Sequence, residues 1–331
     1  MKAIIPVAGA GTRLRPHTYT QPKPLIPVAG KTIISFIIDE LKAVGIRDFV
    51  YVIGHLGEKI QLFVEKSYPE LNNQFVYQNS REGSAHALWV ARQLIKGTDE
   101  IYIVFGDTIL DVDFGALINQ PYSCVGVKKV TDPREFGVVE LGEDKFIRKV
   151  VEKPNIPKSN LAMVGLYKIK EVDLLLDVIG DMIEKGKQTH GEYQLTDSLM
   201  GMIDRGIKLT TVNVDNWFDC GKKEVLLETN AMMLDKEGYA SSGLPPYDNS
   251  IIIHPVSIGK DCEISNSIVG PHVTIGPHSK IRNAIVKESI IGSYATIADI
   301  VLKHSIVGSD AAITGLSQSL NIGDNTEIDF S

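Results

Sequence analysis

The chain has three cysteines, Cys124, Cys220 and Cys262, odd in number and far apart. That pattern excludes a disulfide framework and offers no zinc-ligand spacing. No run of about eighteen apolar residues occurs, so no segment is suited to span a bilayer as a helix. An export signal is only superficially present, in Lys2, a short apolar stretch and Ala8-Gly9-Ala10. Pro6, Gly9 and Gly11 interrupt that stretch, and Arg13 and Arg15 follow it with the wrong polarity for export. The expectation is a cytoplasmic protein that keeps its N-terminus and has no membrane partner. A basic surplus is also missing. The net charge of −7 speaks against a nucleic-acid binder, although a local basic cluster can still hold a small anion.

What is present is the composition of a folded protein, 44% hydrophobic and 23% charged over 331 residues, a length that suggests about two domains. Over the first 240 residues strand-like and helix-like patterns alternate. KAIIPVA (2–8), FVYVIG (49–54), QFVYQ (74–78) and EIYIVFGD (100–107) read as strands. Residues 32–45, 57–68, 83–97, 171–185, 194–205 and 222–236 read as helices, and less regular strands fall near 121–130, 136–141, 146–152 and 162–169. Strands alternating with helices predict an α/β fold, a Rossmann-like, doubly wound and mostly parallel sheet over 1–240.

The texture changes at SSGLPPYDNS (241–250). Beyond it isoleucine recurs at Ile258, Ile264, Ile275, Ile281, Ile291, Ile297 and Ile313. SIVGPHVTI (267–275), SIIGSYATI (289–297) and SIVGSDAAI (305–313) nearly repeat, with starts 22 and 16 residues apart. Such irregular hexads predict a short parallel β-helix over 241–331, each strand lending one aliphatic residue to a narrow core. A β-sandwich is the ordinary alternative, but alternation alone does not produce the repeated I-[VI]-G turn.

Ligands of an open parallel sheet bind beyond the carboxyl ends of its strands. Two segments fall there, the loop from Gly9 to Leu14 and the pair Gly106-Asp107. Gly9 and Gly11 let backbone N–H groups approach a phosphate, and Arg13 adds a rigid charged fork. A dinucleotide fingerprint fails because Leu14 stands where its third glycine belongs, and no P-loop motif occurs. Lys23, held between Pro22 and Pro24, is either a solvated charge or a second phosphate contact. Asp107 is either a turn-former or a ligand for Mg²⁺, which takes few carboxylates plus substrate phosphates. Asp219 is its natural partner, or else a helix N-cap.

At this point the residues resemble a known family. A-G-x-G-T-R-L-x-P (8–16) followed by K-P-L-x-P-V (23–28) is similar to the sugar-1-phosphate nucleotidylyltransferases, the NDP-sugar pyrophosphorylases. Gln78 before Arg81-Glu82-Gly83, Gly106-Asp107, Phe136-Gly137-Val138-Val139, Glu152-Lys153-Pro154, Gly165-Leu166-Tyr167 and Trp217-Phe218-Asp219-Cys220-Gly221 follow in order, over roughly residues 2–235. The C-terminal repeats resemble the left-handed β-helix appended to several such enzymes.

The resemblance implies transfer of a nucleotidyl group from a nucleoside triphosphate to a sugar-1-phosphate, with Mg²⁺ as cofactor. It implies that Gly9, Gly11 and Thr12 hold the nucleotide phosphates, that Ala8 lies near the base, and that Gln78 and Gly83 read it. Gly137, Glu152, Lys153 and Gly165 would hold the sugar phosphate, and Asp107 and Asp219 the metal. Arg13, Lys23, Asp107 and Lys153 are the catalytic candidates. The Gln pattern suits uracil or thymine, and glucose-1-phosphate is the favoured sugar. A shortened glycine loop leaves dTTP, the favoured nucleotide, against UTP, two bases separated by a methyl group worth ~1–3 kcal/mol in a fitted pocket. A non-catalytic sensing subunit is a rival reading. A bifunctional enzyme whose β-helix transfers an acyl group is another, with His254, His272, His278 and His304 as available bases. The β-helix is expected to serve an assembly or regulatory role, in a homo-oligomer.

Overall fold

The structure, a computed structural model, describes residues 1–315. The chain forms two compact units, Met1–Ile26 with Lys31–Leu226, and Pro27–Gly30 with the chain from Leu227 onward. The changeover falls inside the helix Lys223–Asp235, ahead of the turn-rich stretch 241–250. Of the expected β-helix span 241–331, residues 316–331 lie outside the described residues.

The first unit is built on a nine-stranded sheet. Its parallel half is β1 (Lys2–Pro6), β2 (Asp48–Ile53), β3 (Asn72–Tyr77) and β4 (Ile101–Val104), in the spatial order β3-β2-β1-β4. The order turns back between β1 and β4, which creates the crevice beyond their carboxyl ends. These strands read as near-continuous apolar runs because both faces are covered. Ile4, Val50, Val52, Ile101 and Ile103 point into one core, with the helices Ser84–Val90, Val172–Glu184 and Leu195–Asp204. Ala3, Ile5, Phe49, Tyr51, Ile53, Tyr102 and Val104 point into the other, with Ile33–Ala43 and Gly57–Ser67. Each fully buried Ile or Val side chain contributes about 1.5–3 kcal/mol, against the entropy of ordering it.

The rest of the sheet is mixed. Leu161–Ile169 runs antiparallel to β4, and also pairs antiparallel with Ser123–Lys129 and Gly137–Leu141. Gly137–Leu141 and Ile147–Glu152 pair as an antiparallel hairpin, joined by a connection too short for the crossover a parallel neighbour needs. The segment 83–97, which reads as one helix, is two pieces, Ser84–Val90 and Arg92–Ile95, separated at Ala91. A two-stranded ribbon, Thr108–Asp111 with Asn216–Asp219, stands apart from the large sheet.

Among the described residues of the second unit, three sheets of four short parallel strands each form a β-helix. Ile258, Ile275, Ile291 and Val307 stack in register, as do Ile264, Ile281, Ile297 and Ile313. A coil therefore takes sixteen or seventeen residues. The spacing of 22 between the first two sequence repeats is one coil plus one hexad, because Ile268 stacks under Ile285 on a different sheet from Ile290 and Ile306. One corner carries Asn249, Asn266, Asn283 and Asp299, all at positive φ, which Asn and Asp adopt more readily than other residues with a side chain. Asn249 donates to Asn266 and Asn283 to Asp299, both at 2.9 Å. Asn230, fully buried in this unit, accepts from Ala29 N–H (2.9 Å) and Thr274 Oγ1 (2.7 Å) and donates to His272 O (3.1 Å). All three cysteines are free, and burial pushes the Cys124 thiol up to about 12. Among the described residues no helix is long and apolar enough to cross a membrane.

Candidate active site

The loop after β1 turns at Gly11, in the left-handed region at φ 60°, and enters the short turn Thr12–Leu14. A Cβ on Gly11 would stand 3.0 Å from Thr18 Cγ2 and 3.1 Å from Lys23 Cβ, so both backbone angle and space require glycine. Thr18 Oγ1 locks the turn by donating to Gly11 O at 2.9 Å. A Cβ on Gly9 would meet no atom within 4 Å, and this residue lines open space.

That space is a cavity of about 440 Å³ over the carboxyl ends of the parallel strands, and it collects Ala8, Gly9, Gly11, Thr12, Gln78 and Gly83. Arg13, Lys23 and Asp107 complete its charged side. A second cavity of about 270 Å³ collects Gly137, Glu152, Lys153, Gly165 and Asp219. Arg13 and Asp107 line both cavities. The residues expected at the nucleotide and those expected at the sugar phosphate thus gather in two adjoining spaces.

At the junction Lys23 is 5% exposed, in the turn Lys23–Leu25 that Pro22 sets up. Its ammonium donates to Asp107 Oδ2 at 3.0 Å and to Asp219 Oδ1 at 3.3 Å. Arg13 donates to Asp219 Oδ2 at 3.3 Å. Lys23 is therefore no solvated charge. Asp107 follows β4 across Phe105-Gly106, and the ribbon brings Asp219 opposite Thr108, so a register 111 residues apart in sequence sets the two carboxylates on one cation. Asp219 ends a strand and its carboxylate faces Lys23 and Arg13; the following helix starts only at Lys223.

In the second cavity Glu152 accepts from Thr196 Oγ1 at 3.1 Å. Burial first, and then the nearby Asp197 carboxylate, raise its pKa, opposed by Lys153 and the Thr196 hydrogen bond. Lys153 adopts φ 42° and holds its ammonium 3.9 Å from Glu152, half-exposed and not part of the Lys23 cluster. Gly83 has φ 108°, and its Cβ would stand 2.4 Å from Tyr193 O. Sequence reading missed Thr196 and Ser84, which also line these spaces, as does Gly221 of the motif that carries Asp219. Only Thr196 left a signal, as a hydroxyl on the apolar face of the helix Leu195–Asp204.

Among the described residues no group of three or more His, Cys, Asp or Glu side chains could hold a metal alone. Asp107 and Asp219 form a two-carboxylate set, which suits an ion that takes its other ligands from phosphates and water. In the β-helix, His272 pairs with Asp235 (3.1 Å), His304 pairs with Glu288 (3.0 Å), and His278 stacks on Tyr294 at 4.8 Å.

A Rossmann-like domain with a glycine loop, a fixed lysine and two converging carboxylates, followed by a β-helix, defines a class of phosphate-handling α/β protein. Residues 2–236 match the nucleotidyl transferase family, and the chain belongs to it. Residues 245–312 match the GlmU-like C-terminal hexapeptide family, in agreement with the parallel β-helix expected from the isoleucine spacing and with the left-handed form that the repeats resemble. Similar proteins include the low-salt glycan biosynthesis nucleotidyltransferase Agl11 of Haloferax volcanii, 28% identical over 88% of this chain and 87% of that one. Glucose-1-phosphate thymidylyltransferase of Streptomyces griseus is 29% identical with the same coverage. The bifunctional protein GlmU of Methanocaldococcus jannaschii is 36% identical over 71% of this chain, which spans 55% of that relative's length. A provisionally assigned glucose-1-phosphate thymidylyltransferase from Bacillus anthracis superimposes with a TM-score of 0.61 at 28% identity, over 72% of this chain and 96% of its own.

Proposed function

We propose that the chain is a Mg²⁺-dependent sugar-1-phosphate nucleotidylyltransferase, with dTTP favoured over UTP and glucose-1-phosphate as the acceptor. The observation that carries this reading is the buried Lys23 ammonium shared by Asp107 and Asp219, where the two cavities adjoin. A phosphate oxygen of the sugar phosphate attacks the α-phosphorus; a new P–O bond forms, the bond to the β-phosphate oxygen breaks, and pyrophosphate leaves. The attacking group is already an anion, so no protein nucleophile or base is required. The chain's work is to hold two mutually repelling anions in line and to neutralise charge that moves to the leaving group.

Gly9, Gly11 and Thr12 cradle the triphosphate with backbone N–H groups. Arg13 and Lys23 sit on the leaving-group side, and Lys153 meets the incoming phosphate. Glu152 accepts from sugar hydroxyls, held by Thr196. Asp107 and Asp219 would hold Mg²⁺, which would supply charge neutralisation to the phosphates. The names of the Streptomyces and Haloferax relatives support the reaction class. The homo-oligomer expected from the β-helix belongs to the same proposal.

The test is steady-state kinetics of two variants. Arg13→Ala is expected to lose at least about tenfold in kcat, as when a transition-state charge contact is removed. Asp107→Ala is expected to lose most of the Mg²⁺-dependent activity. Unchanged rates in both would contradict the assignment.

A further inference from the structure

Gln78 is 7% exposed, directly after β3, and its amide lines the larger cavity. Two neighbours decide which amide atom faces that cavity. Gly83 O lies 3.2 Å from the amide nitrogen, and His86 Nδ1 lies 3.1 Å from it. A carbonyl only accepts, so the atom facing Gly83 is the NH₂ group. Its second proton goes to His86 Nδ1, which must be the bare ring nitrogen, with the ring proton on Nε2. Glu82 favours that tautomer from the other side, its Oε2 standing 3.9 Å from His86 Nε2. Both amide protons are then engaged, and Oε1 remains as an acceptor. A flipped amide would set an oxygen against the Gly83 carbonyl and the Nδ1 lone pair, two repulsions in place of two hydrogen bonds.

We infer that His86, backed by Glu82, fixes Gln78 as an acceptor toward the nucleobase and so selects bases with an imino N–H over bases with a bare ring nitrogen. The inference rests on the reading of Gln78 as the base contact. Uracil and thymine present N3–H at that edge, whereas cytosine presents a bare N3 of nearly the same shape. His86 does not line the cavity, so it acts as a positioning residue through Gln78. Without its acceptor one Gln78 N–H is released, and only the Gly83 carbonyl opposes a flip.

The test measures kcat/KM for UTP and for CTP with the same sugar phosphate. His86→Leu is expected to lower the UTP:CTP ratio about tenfold, the scale of one mis-set hydrogen bond. His86→Asn puts Oδ1 in the place of Nδ1 and is expected to keep the wild-type ratio. A wild-type ratio in His86→Leu overturns the inference, and so does an equal loss in both variants, which would signify packing alone. Should His86→Leu not fold, Glu82→Gln at a 44% exposed position carries the test. A fall of about two- to threefold is expected there, in line with a weak ion pair, and an unchanged ratio overturns the inference. A wild-type enzyme that uses UTP and CTP alike overturns the reading of Gln78 itself, and this inference with it.

Discussion

Replacing Lys23 with methionine keeps the buried stem and removes the ammonium that lies 3.0 Å from Asp107 and 3.3 Å from Asp219. The gross Coulomb attraction of one such contact is about 5 kcal/mol at an effective dielectric of about 20. Most of that is offset by the cost of desolvating the lysine, whose side chain is 6% exposed. The carboxylates are 46% and 27% exposed, so water screens what remains. A net loss of about 1–2 kcal/mol follows, between the values for surface and buried pairs. For a unit of this size that is a fall of about 2–8 °C in Tm. The variant also removes the cation that both carboxylates share and leaves Arg13 on Asp219 alone, so added Mg²⁺ is expected to raise its Tm more than it raises that of the wild type. Differential scanning fluorimetry with Mg²⁺ and with EDTA measures both effects. An unchanged Tm together with an unchanged Mg²⁺ response would refute the placement of Lys23 as the cation of this site.

Two further outcomes follow from buried polar groups. Burial raises the Glu152 pKa above the ordinary 4.5, so the folded state binds its proton more tightly than the unfolded chain does. That contribution to stability is complete below 4.5 and is lost as pH rises through the folded value. Glu152→Gln is therefore expected to be more stable than wild type at neutral pH, with the advantage vanishing toward about pH 4, and to show a raised KM for the sugar phosphate. Thermal melts at the two pH values check this, and an equal Tm difference at both would contradict it. Asn230→Ala strands Ala29 N–H, His272 O and the Thr274 hydroxyl inside the second unit. A cost of about 2–4 kcal/mol is expected in urea denaturation followed through the β-helix, and a loss below about 1 kcal/mol would contradict the role given to that hub.

The parallel half of the sheet was legible because each strand is a short apolar run closed by glycine or a turn, and the helices between them carry apolar residues at helical spacing. The phosphate loop was legible for the same reason that it works, since small residues before a fixed cation have few other uses. The β-helix announced itself through isoleucine, but the spacing of 22 could be understood only once Ile268 and Ile290 were placed on different sheets. What the sequence hid was long-range register. Nothing local says that Asn216–Asp219 pairs with Thr108–Asp111, and that pairing takes Asp219 from a plausible N-cap to a partner of Asp107. The mixed half was read only as irregular strands, because short β-rich segments carry no direction. Thr196 went unread because a single hydroxyl on a helix is no motif until Glu152 is found beside it.

The most direct measurement is pyrophosphate release with Mg²⁺, glucose-1-phosphate and each of dTTP, UTP, CTP, ATP and GTP in turn. Release with dTTP or UTP, absent without the sugar phosphate and absent with EDTA, is the predicted result. Silence with all five, repeated with mannose-1-phosphate and N-acetylglucosamine-1-phosphate, would contradict the catalytic account and leave a protein that binds these ligands without joining them.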